Sequence, residues 1–178
     1  MNDAALIIVT GERGAGKTTF CARVIALARS RRCDVAGVLS PAVVADNCKI
    51  AIDAIDLRST QRWRLATFNP GADYPRELRW RFKADALAWG NLVLAESTPC
   101  EVLIVDELGR LEFERNQGWL AGLSALDSGE YRLGLVVIRP ELLEQAQQRW
   151  PLAQVITIEN VQQAWAEANR IWHEIPPG

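Results

Sequence analysis

VTGERGAGKTTF, residues 9–20, sets three glycines, a lysine and a Thr-Thr pair between an apolar run and a segment of helical periodicity. Within it, Gly11-Glu12-Arg13-Gly14-Ala15-Gly16-Lys17-Thr18 fits G-x-x-x-x-G-K-[ST] at every fixed position. The chemistry explains the spacing. Gly14 and Gly16 can take backbone conformations closed to other residues. The loop can then turn its N–H groups inward as an anion nest. The helix that follows presents its positive N-terminal end to the same anion. Lys17 can reach the β- and γ-phosphates of a nucleotide, and the Thr18 hydroxyl can ligate Mg²⁺. Gly11–Thr19 is therefore the expected phosphate cradle, with the Arg13 side chain turned either to a phosphate or to solvent. The context agrees. Ala4–Thr10 is apolar and rich in β-branched residues, a buried strand. Lys17 to about Ser30 carries Phe20, Val24, Leu27 and Ala28 on one helical face.

A second element lies downstream in EVLIVDELGRLEF, residues 101–113. Glu101–Val105 reads as a strongly apolar strand that ends at Asp106 and Glu107. In an open α/β sheet that end of a strand lines the ligand crevice. A carboxylate at Asp106 can hold Mg²⁺ through its water shell. Side chains alternate along a strand, so Glu107 is expected to point elsewhere, where it can polarise an attacking water. Arg139, after the buried run YRLGLVVI, and Arg110, just past the acids, are candidates for stabilising charge in the transition state. Either also reads as an ordinary surface ion-pair arginine.

Between the two elements come three β-like runs, Val35–Ala45, Lys49–Leu57 and Trp63–Phe68. KIAIDAIDL alternates as a half-solvated antiparallel strand does. FNPGADYPREL (68–78) is loop-like, LRWRF another short strand, and Ala84–Ser97 a helix. Helices are expected over Gln117–Leu126, Pro140–Arg149 and Val161–Trp172, the last capped by Asn160, with a strand at Ala153–Ile158. Buried strands alternating with helices at both ends predict a mainly parallel sheet covered on both faces. The expected fold is one P-loop domain over 1–178, a RecA-like three-layer sandwich. An antiparallel hairpin or meander is inserted at about 36–82.

Composition excludes several classes. The 178 residues are 49% hydrophobic and 24% charged, so disorder is not indicated. A net charge of −2 gives no support to a dedicated nucleic-acid binder. No stretch reaches the roughly 18 apolar residues of a membrane span. The N-terminus reads as a strand and not a signal peptide, so a cytoplasmic location is expected. Cys21, Cys33, Cys48 and Cys100 form no C-x-x-C pair and read as small buried hydrophobes. With His173 as the only histidine, a histidine-based triad is not expected. Arg29, Arg31 and Arg32 suit a helix C-terminus. Arg76–Lys83 interleaves basic and aromatic residues, as an edge strand with a basic face does or as a single-strand nucleic-acid platform does.

Taken together, these residues resemble the small P-loop nucleoside-triphosphatases of the THEP type, the family that includes a cancer-related nucleoside-triphosphatase. TGERGAGKTT (10–19) stands where the family has TGxxGxGKTT, and VDELGRLE (105–112) where it has [VI]-D-E-[IL]-G-[KR]-[ML]-E. Gly37–Val44 and Lys49–Leu57 are similar to its following strand and hairpin, and the resemblance covers most of the chain. It implies Mg²⁺-dependent hydrolysis of ATP, GTP or other nucleoside triphosphates, slow in turnover. Lys17 and Thr18 would hold phosphate and metal, Asp106 the metal and Glu107 the water, with a structural or site role for Glu112. Arg110 stands where lysine is usual, and AIDAID replaces a glycine-rich turn and a GFD-like run.

Three other readings compete. One is a small-molecule or nucleoside kinase, against which no arginine-rich lid is evident. The second is a nucleotide-gated switch, assembly ATPase or metallocentre-insertion factor acting on a protein partner. One such group carries lysine at the second position of the loop, where this chain has Glu12. The third is a nucleic-acid-associated ATPase, which the net charge disfavours.

Overall fold

The computed structural model describes residues 4–69 and 80–174. Among these residues nine strands form one sheet: β1 (Ala5–Thr10), β2 (Val35–Leu39), β3 (Ala42–Ala45), β4 (Cys48–Asp56), β5 (Arg62–Phe68), β6 (Trp80–Phe82), β7 (Cys100–Leu108), β8 (Tyr131–Ile138) and β9 (Gln154–Thr157). The helices are α1 (Lys17–Ser30), α2 (Ala84–Ala95), α3 (Arg110–Arg115), α4 (Leu120–Ser128), α5 (Leu143–Arg149) and α6 (Val161–Glu174).

The parallel half of the sheet runs β2-β7-β8-β1-β9, each neighbour paired in parallel. β8 therefore lies between the strand of the glycine loop and the strand of the acids, as expected of a RecA-like sandwich. The period of two along each strand sends alternate side chains into two separate cores. Ile7 and Val9, Val102 and Ile104, and Leu133, Leu135 and Val137 pack under α1 and α6. Ile8, Leu103, Val105, Val136 and Ile138 pack on the other face, against α2, α4 and α5. Burial on both faces is why these strands read as continuous apolar runs.

The β-rich stretch is not a module set beside the sheet but a continuation of it. The run Val35–Ala45 divides at Ser40–Pro41: β2 joins the parallel half, and β3 pairs antiparallel with β4. From β2 the sheet continues antiparallel through β4, β5 and β6. The loop expected at 68–78, and the first part of Arg76–Lys83, lie mostly outside the described residues. Trp80–Phe82 forms the strand expected there.

Two helices differ from the sequence expectation. Residues 117–119 are not helical, and a separate short helix, α3, directly follows the acids. Pro140–Leu142 is a 3₁₀ turn before α5. Asn160 caps α6, its Oδ1 accepting the Gln163 N–H at 2.9 Å. Of the cysteines only Cys21 is buried; Cys48 is exposed, because β3 and β4 stand partly clear of the core. The C-terminal arginines of α1 have structural work: Arg29 donates to the Leu57 carbonyl, and Arg31 stacks on Trp172. No helix among the described residues is long and apolar enough to cross a membrane.

The junction between the two halves of the sheet depends on Gly37. It sits in β2 opposite Ile104 with φ +100°, and its carbonyl accepts the Leu57 N–H at 3.1 Å. A Cβ there would collide with the Ile104 carbonyl oxygen. Gly37→Ala is expected to destabilise the protein by about 2–4 kcal/mol, combining backbone strain with that collision. Urea unfolding followed by circular dichroism measures it.

Candidate functional site

The glycine loop joins β1 to α1 at the C-terminal edge of the parallel sheet. Gly11 has φ +139°, and a Cβ on it would strike the Ile158 carbonyl oxygen. Gly16 has φ +106° and lies against Val161 at the start of α6. Gly14 has φ +82° with nothing within 4 Å of a Cβ position, so only its backbone needs glycine. The three glycines thus divide their work: two let the loop lie against the β9–α6 connection, and the third turns it. Ala15 is buried, whereas Glu12, Arg13 and Gly14 are exposed and Thr18 and Thr19 half-buried.

Lys17, the first residue of α1, curls back over the loop. Its ammonium donates to the carbonyls of Gly11 at 2.5 Å and Glu12 at 2.9 Å. Burial lowers its pKa, while the carboxylates of Glu107, Asp106 and Glu12 work against that shift. One turn of helix therefore carries a partly desolvated cation over a backbone loop, the arrangement that receives a phosphate chain.

Asp106 is 1% exposed, and it ties three elements together. Its Oδ1 accepts the Thr18 hydroxyl of α1 at 3.4 Å, and its Oδ2 accepts the Ser40 N–H after β2 at 2.9 Å. Burial raises its pKa to about 6, against the pull of the Ser40 hydrogen bond. The neighbouring Ser40 hydroxyl is buried with no hydrogen-bond partner. A buried unpartnered hydroxyl beside a carboxylate and a threonine hydroxyl makes a set of hard oxygen donors. Such a set suits a small divalent cation that keeps part of its water shell. Among the described residues no three His, Cys, Asp or Glu side chains cluster as a metal cage.

Glu107 is turned away by a bulge. Val105 pairs with Val136 and Leu108 with Ile138, so β7 spends one more residue than β8 on this step. Glu107 takes φ +78°, a left-handed conformation that costs a non-glycine residue about 1–3 kcal/mol. Leu108 consequently enters the core that holds Leu103 and Val105, not the one that holds Ile104. The two acids do point differently, as alternation predicts, but a bulge does part of the turning. Bulges recur beside active sites because they re-aim a side chain. The partly exposed Glu107 carboxylate meets the Arg139 guanidinium, carried on the connection after β8. Because β8 lies between β7 and β1, Arg139 is brought to the crevice.

Arg110 is not. It occupies the exposed first turn of α3, with Glu114 3.9 Å away. Glu112 is structural: its Oε2 accepts the Gly109 N–H and its Oε1 the Trp119 N–H, both at 2.7 Å. It thereby fastens α3 and the chain beyond it to the end of β7. Two residues at the crevice escaped the sequence reading. Ser40 is one, although the Ser-Pro after a strand marks a change of direction there. The other is Lys49 on β4, whose ammonium feels the charges of Glu107, Arg13, Arg139 and Asp106. No linear spacing signals it.

A parallel sheet sandwiched by helices, a glycine loop leading into α1, and a paired acidic element on a non-adjacent strand define a P-loop nucleotide-binding protein. Similarity to known proteins makes this specific. The family described as NTPase matches residues 6–175, and the chain belongs to it. Nucleoside-triphosphatase THEP1 of Methanopyrus kandleri is 30% identical over 111 residues, 62% of this chain and 61% of that protein. The THEP1 of Pyrobaculum calidifontis is 34% identical over 110 residues, 61% of this chain and 60% of that protein. The chain thus aligns with about three-fifths of the length of these curated relatives. The solution structure of a human cancer-related nucleoside triphosphatase superposes with a TM-score of 0.70. It covers 98% of this chain and 100% of that one at 21% identity, a likeness of fold. The resemblance to THEP-type nucleoside-triphosphatases is borne out.

The buried acid carries a stability cost. Asp106 titrates near pH 6 in the folded chain and near 3.8 when unfolded. The folded state holds the extra proton between those values, so this contribution is present below about pH 4 and lost as pH rises through 6. The gap of roughly two units corresponds to about 3 kcal/mol. In EDTA-treated protein at pH 7.5, Asp106→Asn is expected to raise unfolding free energy by about 1–3 kcal/mol. The gain should close near pH 4, as chemical denaturation at several pH values will test.

Proposed function

We propose that the protein is a Mg²⁺-dependent nucleoside-triphosphate phosphohydrolase that converts ATP, GTP or both to the diphosphate and phosphate. The observation that carries this reading is the opposed setting of Asp106 and Glu107. One carboxylate is buried against Thr18, and the next is turned by a bulge into the open crevice.

In this reading the backbone of Gly11–Thr19 cradles the phosphates. Lys17 exchanges its loop carbonyls for the β- and γ-phosphate oxygens, at little rearrangement because its ammonium already lies over the loop. Thr18 and Asp106 would hold Mg²⁺, with the Ser40 hydroxyl close by. The metal would neutralise charge on the phosphates and set them in line. Glu107 accepts a hydrogen bond from the attacking water and orients it. Arg139, paired with that carboxylate, holds it in place. Charge grows on the terminal phosphoryl group in the transition state, so cations already fixed there contribute most. A base contact is absent from this mechanism, in keeping with the use of more than one nucleoside triphosphate. We place the whole chain in one such domain, working in the cytoplasm.

Phosphate release from ATP, GTP, CTP and UTP with Mg²⁺ tests the reading. Lys17→Ala should lose both nucleotide affinity and turnover. Glu107→Gln should keep affinity and lose about 100- to 1,000-fold in kcat, the usual range for a group that acts in the transition state. Hydrolysis untouched by both substitutions would refute the mechanism. Phosphate transferred onto an added nucleoside would identify a kinase, and activity dependent on a second protein would identify a switch.

A further inference from the structure

The antiparallel half of the sheet does not stop at the level of the crevice. β4 pairs with β2 only through Ile55 and Asp56, opposite Leu39 and Val38. β2 ends there, but β4 extends back to Cys48, paired on that same edge with β3 and on its far edge with β5. Its first residues therefore project beyond the C-terminal edge of the parallel strands, the edge that carries the glycine loop and the acids. At about 3.3 Å per residue, the step from Ile55 to Lys49 is long enough to overhang a bound triphosphate. The overhang is not straight. Pairing shifts between Val43 and Val44 against β4, and between Ile52 and Asp53 against β5. Two irregularities in so short a hairpin bend it and increase its twist.

Lys49 sits on this bent segment, half-buried. Its ammonium lies 5.2 Å from the centroid of the Trp80 ring, carried on β6, the strand beyond β5. Trp80 is itself packed against Phe68 of β5, centroid to centroid 5.3 Å. A cation over a buttressed indole face is held without being neutralised. Burial lowers the Lys49 pKa, and the charges it feels after that are Glu107, Arg13, Arg139 and Asp106, all from the crevice. Arg139 is engaged with Glu107 and Lys17 with loop carbonyls. Among the described residues Lys49 has neither an ion pair nor a hydrogen bond. A half-buried cation is costly unless opposite charge faces it, and a bound triphosphate would add to what Glu107 and Asp106 supply.

We propose that Lys49 is a catalytic residue that the overhanging β3–β4 hairpin places on the terminal phosphoryl group of a bound nucleoside triphosphate. It acts within the same chain, opposite Lys17, with the Trp80 ring facing its ammonium. The contact forms with the γ-phosphate and not with the α- or β-phosphates, which belong to the loop on β1. It tightens as negative charge grows on the equatorial oxygens of the transferring group. Lys49 thereby confers a preference for triphosphate over diphosphate and lowers the barrier to transfer.

This inference deepens the hydrolytic reading, and its test separates the two. In the full chain with Mg²⁺, Lys49→Met should lower kcat about 100-fold, the scale of one lost transition-state contact. Lys49→Arg should retain most of the activity. By calorimetry, Lys49→Met should weaken a non-hydrolysable triphosphate analogue by about tenfold and leave the matching diphosphate unchanged, as expected of one charge-assisted contact. Thermal melts establish that the hairpin still folds. Unchanged kcat, or equal weakening of triphosphate and diphosphate in a folded variant, would overturn the assignment. If the wild-type chain released no phosphate from any nucleotide, the hydrolytic reading would fall. The comparison of triphosphate with diphosphate binding would still decide the role of Lys49.

Discussion

The Asp106 carboxylate is the contact on which the site's architecture turns. It is almost inaccessible, and each of its oxygens is held by a different element, Thr18 from α1 and the Ser40 backbone from the end of β2. The glycine loop, the parallel strand next to β7 and the acidic strand are thereby fixed relative to one another. A buried acid is expensive, and burial holds its proton up to about pH 6. A surface carboxylate would avoid that expense but could not join three elements. The protein keeps a destabilising group where its placement has a use, as functional sites commonly do.

The neighbouring residue shows how the backbone enlarges what that contact can do. Plain alternation would separate the two acids by a change of face, and would leave Leu108 on the same face as Asp106. The bulge in β7 adds a left-handed step at Glu107 and sends Leu108 into the opposite core. Strain at Glu107 is offset by burying Leu108 and by the ion pair with Arg139. Glu112 closes the same turn from below by accepting two backbone N–H groups, which is why a further acid follows in the motif. DELGRLE is thus one device in three parts: an anchor, a displaced carboxylate and a clasp.

The antiparallel strands extend this device over the crevice. They begin where Gly37 lets the chain change partners, and they continue past the edge at which the parallel strands stop. An insertion of this kind contributes side chains from above a phosphate loop without a separate domain. Lys49 and its aromatic support belong to that layer.

Much of this was written in the chain. The glycine spacing, the apolar strand before it and the helix after it determined a phosphate loop, because each needs only local backbone chemistry. The apolar runs determined a parallel sheet covered on both faces, because burial on both sides leaves no polar alternation. VDELGRLE determined that acids stand at a strand end. Other features needed the folded molecule. Arg139 reaches Glu107, and Arg110 does not, because β8 inserts between β7 and β1 and α3 carries Arg110 outward. Ser40 and Lys49 come to the crevice through strand register and bulges, which depend on pairings between segments far apart in sequence. Local spacing sets what a residue can do; which residues meet at the site is set by how the strands are ordered and where they slip.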